Sequence, residues 1–67
     1  MIILTRLNAT NFILNCELIE TVEATPDTVI TTINGKKIVV AETVDEVVGK
    51  VVQYKRTILL YNNSASS

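Results

Sequence analysis

The chain has 67 residues, 48% of them hydrophobic, and a formal net charge of −1 from six basic and seven acidic side chains. That length supports one domain and buries only roughly 60% of the unfolded surface. The charge balance argues against an electrostatic grip on nucleic acid, one cysteine cannot form an internal disulfide, and the lack of histidine removes Ser-His-Asp and Cys-His catalysis.

Ile2 to Leu7 is an apolar run broken by Thr5 and Arg6, and it reads as a strand. Asn8 to Asn11 is polar and fits a hairpin loop, with Phe12-Ile13-Leu14 as the returning strand. Successive residues in both strands are apolar, which predicts cover on both faces, with Ile2, Leu4 and Arg6 on one side of the first strand. Asn15 is placed to cap a single helical turn with Leu18 pointing inward, and Cys16 reads as a small semi-buried residue.

Ile19 to Val40 is the organising stretch. Ile19 to Ala24 alternates in period two and predicts a third strand with one core face. In Thr25-Pro26-Asp27, proline presets the backbone and aspartate bonds its own main chain, so the segment is a turn. Thr28 to Ile33 is the fourth strand, Asn34-Gly35 predicts a type I′ hairpin, and Lys36 or Lys37 to Val40 is the fifth strand.

The period then changes. Thr43 with Glu46 three residues on is a capping-box pattern, and Val44, Val47, Val48, Val51 and Val52 recur at helical spacing. This stripe predicts a C-terminal helix that covers the sheet, although Gly49 weakens its middle by about 1 kcal/mol. Thr57 to Tyr61 continues the helical pattern; it is also apolar enough to add as a strand to a neighbouring subunit. The predicted architecture is α+β and β-rich: a five-stranded, mainly antiparallel sheet followed by one C-terminal helix, spanning 1–61, with a polar disordered tail at 62–67.

Catalytic chemistry is not evident. Glu17, Glu20, Glu23, Asp27, Glu42, Asp45 and Glu46 lack the spacing of a calcium loop. Glu20 with Glu42, or Asp45 with Glu46, read as solvated acids and helix-start acids rather than as a working pair. Gly35 and Gly49 do not form a phosphate-cradling loop. The expectation is a protein that is not an enzyme and has no catalytic, metal-binding or cofactor-binding residues. Candidate partner contacts are Arg6 on the first strand, Asp27, Lys36 and Lys37 at the turns, and Tyr54 and Arg56 on the C-terminal segment. Surplus apolar surface on so short a chain, with no disulfide or metal to staple it, predicts a homo-oligomer. Neither a signal-peptide pattern nor a run of the roughly 20 apolar residues that span a bilayer is visible. The expected location is therefore the cytoplasm, without membrane insertion.

Several segments together resemble the small flagellar proteins of the FlbD type, also called SwrD. They are Leu4-Thr5-Arg6-Leu7-Asn8, Phe12 with Leu14-Asn15, Leu18-Ile19-Glu20, Glu23 to Thr28, Asn34-Gly35-Lys36-Lys37 and Tyr54-Lys55-Arg56. The likeness runs in register over nearly the whole chain. One departure is Ala9, where the family places glycine after Asn8, which suggests a looser first loop. The resemblance implies a cytoplasmic accessory that supports flagellar motor power and swarming through the stator proteins MotA and MotB, with no enzymatic activity. The opening Met1 to Arg6 is also similar to that of CsrA, an RNA-binding homodimer, so a CsrA-like RNA-binding regulator is the alternative. Only Leu4 and Arg6 carry that second likeness. Lys37 to Val40 lacks the arginine-bearing strand it requires, and no nucleic-acid partner is expected.

Overall fold

In a computed structural model, which describes residues 1–66 and the side chains of residues 1–60, the apolar runs build two antiparallel sheets and one helix. Strands β1 (Ile2–Thr5) and β2 (Asn11–Leu14) form a hairpin. A 3-10 turn, Cys16–Leu18, leads into β3 (Ile19–Ala24), β4 (Thr28–Thr32) and β5 (Lys37–Val40), which form a meander in the order β3-β4-β5. Helix α1, Val44–Ser66, closes the chain. The single five-stranded sheet expected from the sequence is therefore corrected to a sheet of two strands and a sheet of three. The reason lies at the joint. β1 meets β5 through one antiparallel bridge, Arg6 with Val40, and the Ala41 N–H donates to the Thr5 carbonyl at 2.8 Å. Beyond Arg6 the chain turns away into its hairpin loop, so no ladder can extend.

The core lies between the sheets and the helix. Ile2, Leu4, Leu14, Cys16, Ile30, Val40 and Val47 are buried, and Phe12, Ile19, Val22, Ile38, Val51 and Tyr54 pack on them. Asn15 caps the 3-10 turn as expected, its Oδ1 accepting from the Glu17 N–H at 3.1 Å. The residue driven inward there is Cys16, while Leu18 is only half-buried. Strand β3 departs from strict alternation. Its register to β4 shifts between Ile19 and Thr21, so Glu20 is an extra residue in a bulge. The bulge lets Ile19 and Val22, an odd spacing apart, both reach the core. The outer face of the first hairpin is not covered: the cross-strand partners Ile3 and Ile13 are both exposed, contrary to expectation.

Two loops share one geometry. In Thr32–Lys36 the Gly35 N–H donates to the Thr32 carbonyl and the Thr32 N–H to the Lys36 carbonyl; Gly35 has φ 84°. Asn34 keeps a negative φ, so this is a type I turn closed by a left-handed residue rather than the expected type I′ turn. In Arg6–Thr10 the same two bonds recur, with Ala9 at φ 71°. The first loop is thus as tight as the second, and the expectation that alanine loosens it is corrected. A non-glycine residue held there costs about 1–2 kcal/mol, partly offset because glycine loses more entropy on folding. Ala9→Gly is expected to stabilise the protein by about 0.5–1 kcal/mol, raising the melting temperature by a few degrees. A urea titration showing lower stability for the variant would refute this account of the turn.

The β3–β4 connection carries a cis peptide between Thr25 and Pro26, and the Thr25 N–H donates to the Asp27 carbonyl at 3.1 Å. The helix starts with the expected reciprocal cap: Thr43 N–H to Glu46 Oε1 at 3.0 Å and Glu46 N–H to Thr43 Oγ1 at 3.1 Å. Thr57 to Tyr61 is helical, as the pattern predicts, and the helix assignment runs through the polar residues to Ser66. The expectation of a loose tail at 62–67 falls where side chains are not described, and Ser67 lies outside the described residues.

Candidate functional site

The valine stripe divides in two. Val44, Val47, Val51 and Tyr54 turn towards the sheets, whereas Val48 and Val52 are 48% and 50% exposed. From Lys55 to Leu60 every residue is exposed, including Ile58, Leu59 and Leu60. The helix therefore runs past the core, and the molecule is 45 Å along its longest axis.

Arg6 is exposed at the joint between the sheets, with its guanidinium 4.4 Å from the centroid of Phe12. That stacking covers the Phe12 ring and fixes the arginine head, which would be worth about 0.5–1 kcal/mol at such an exposed site. Asp27 is exposed in the β3–β4 turn. Because Thr28 pairs with Val40 and Val40 bridges Arg6, that turn and Arg6 belong to the same end of the meander. Lys36 and Lys37 are exposed at the other end, where β4 turns into β5. Tyr54 is half-buried on the core side of α1 and Arg56 is exposed on another side of it. These six residues are spread over both ends of the meander and two sides of the helix, and do not converge on one site.

Three features escaped the sequence reading. One is the Glu42 carboxylate, which links the start of the helical segment to β1: Oε1 accepts from the Thr5 N–H and Oε2 from the Thr5 hydroxyl, both at 2.9 Å. Burial pushes the Glu42 carboxyl pKa up, but the bonds from Thr5, its own backbone N–H and the charge of Lys50 outweigh it and leave the pKa below the ordinary value. Only the tertiary approach of β1 to residue 42 creates this clamp, so no local signal announces it. Glu42 is not paired with Glu20.

The second is an open groove of about 640 Å³ between β1 and α1, lined by Met1, Ile3, Gly49, Gln53 and Tyr54 among others. Its lining is mainly apolar, with Glu46 and Lys50 on the helix side. The third is the outer face of the helix around Val48 and Val52. The helix turns positions i, i+3 and i+7 of its valine stripe inward and leaves i+4 and i+8 outside, a division set by tertiary packing and not announced by residue type.

Among the described residues, no three His, Cys, Asp or Glu side chains gather in a way that would hold a metal ion, and no helix is long and apolar enough to cross a membrane. The chain offers apolar faces and separated charges, which is chemistry suited to contact with another macromolecule. A profile of the FlbD family, described as flagellar and swarming motility proteins, matches residues 1–59. Comparison with curated proteins and with solved structures finds no match.

Proposed function

Because the chain belongs to the FlbD family of flagellar and swarming motility proteins, we propose that it is a non-enzymatic accessory that supports flagellar motor power through contact with the stator proteins MotA and MotB. It acts from the cytoplasm at the flagellar base. The family match over residues 1–59 carries the flagellar reading. Contact with a protein partner is supported by the exposed apolar residues of α1 beyond the core, with Lys55 and Arg56 beside them. The RNA-binding alternative gains no support from the cations, since Arg6 and the Lys36–Lys37 pair stand at opposite ends of the meander.

Deleting the gene is expected to leave filaments assembled and to reduce motor torque, read from the speed of tethered cells under viscous load. Restoration by the intact gene completes the test. Full torque in the deletion strain, or loss of the filaments themselves, would sink the proposal. A salt-sensitive, submicromolar affinity for a GGA-containing RNA loop would favour the alternative instead.

A further inference from the structure

We propose that the outer face of α1 is a self-complementary surface on which two copies of this chain pair as an antiparallel, two-fold symmetric dimer. Asp45, Val48, Val52, Arg56 and Leu59 follow one another at spacings of three or four residues, so they form one stripe along the helix. All five are exposed, Leu59 at 62%, and the stripe lies away from buried Val47 and half-buried Val44, Val51 and Tyr54. Its two apolar central residues are flanked by an acid at one end and a base at the other. A second copy laid antiparallel sets Val48 against Val52 and Asp45 against Arg56, and the two-fold axis repeats both contacts. Within one chain Asp45 and Arg56 are three turns apart, about 16 Å along the axis, so they cannot pair with each other.

Gly49 supplies an independent reason. It sits beside the stripe, four residues after Asp45 and three before Val52. A Cβ at this position would meet nothing within 4 Å, so packing within the chain does not require glycine there. Glycine inside a helix is unfavourable relative to alanine, and a second helix crossing at that point would use the space that a side chain would fill. The apolar centre and the glycine sit at one crossing point, and the two charges flank it on either side. The outer face of the first hairpin, with Ile3 and Ile13, offers apolar area but no charge to set an orientation. The inference is independent of the flagellar reading, because it concerns the purified chain alone.

Sedimentation velocity on the full chain at micromolar to submillimolar concentration tests it. The wild type is expected to dimerise, and a monomer throughout that range overturns the proposal. Gly49→Leu should weaken the dimer by about 10-fold or more; circular dichroism should show its helix intact or strengthened, which separates lost pairing from lost folding. Ile13→Glu should leave the dimer unchanged; if it dissociates the dimer and Gly49→Leu does not, the interface lies on the hairpin and the proposal fails. Asp45→Arg and Arg56→Asp should each weaken self-association. Mixed together they should form a heterodimer, because each altered charge then faces its opposite. Failure of the mixture to associate better than either variant alone overturns the antiparallel arrangement.

Discussion

Replacing Leu4 with alanine is expected to cost about 2–5 kcal/mol, the range for removing a large buried aliphatic side chain. Leu4 is fully buried, lies opposite Phe12 in the hairpin and belongs to the one contiguous core. A domain of this size has about 0.05–0.15 kcal/mol of stability per residue, or roughly 3–10 kcal/mol in all, so this single change would consume much of it. Ile3, the next residue, is 58% exposed on the opposite face of the same strand. Ile3→Ala is expected to cost less than about 1 kcal/mol. Urea unfolding followed by circular dichroism compares the two variants directly. Equal losses would mean that the outer face of the hairpin is covered in solution, and the assignment of a single inner core would then be wrong.

Glu42→Ala should destabilise the protein by about 2 kcal/mol at neutral pH, because a charged acceptor for two bonds is lost and the Thr5 N–H is left without its partner. The half-exposed position of Glu42 keeps the effect towards the middle of the range for such bonds. The pH dependence has a definite sign. The folded-state pKa of Glu42 lies below its ordinary value of 4.5. The stabilisation is therefore present in full above the unfolded-state value and is lost as pH falls through the lowered folded-state value. Wild-type stability should drop on acidification below pH 4.5 more steeply than that of Glu42→Gln, which keeps the shape but carries no titrating group. Parallel curves for the two proteins would show that the clamp contributes nothing to acid sensitivity.

Much of the architecture is legible wherever the controlling signal is local. Asn15 as a cap, the Thr43–Glu46 reciprocal bonds and the extents of β3 and β5 follow from residue type over a few positions. Asn34-Gly35 announces a turn correctly, yet its type depends on whether Asn34 also takes a positive φ, which the residue tolerates but does not demand. The bulge at Glu20 was hidden because alternation read from the sequence assumes a regular ladder, and tertiary packing of Ile19 with Val22 overrides it. Whether five strands make one sheet or two is decided at the bridge between Arg6 and Val40, far apart in the chain.

The candidate surfaces were less legible for the same reason. Arg6, the turns and the C-terminal segment were identified as exposed charges or tyrosine, and they are distributed as separate features. Val48 and Val52 share residue type and helical spacing with Val47 and Val51. Only packing against the rest of the fold decides which of the four are covered.

The joint between the two sheets also bears on how quickly the chain folds. The β1–β2 and β4–β5 hairpins close over a few residues and can form within microseconds. The bonds of Thr5 with Ala41 and Glu42 join positions 37 or so residues apart in sequence. Closing so long a segment carries an entropic cost that hairpin formation does not, and local contacts do not reward it beforehand. The ordering of β1 against β5 and the helix start is therefore expected to be slower than the closure of either hairpin.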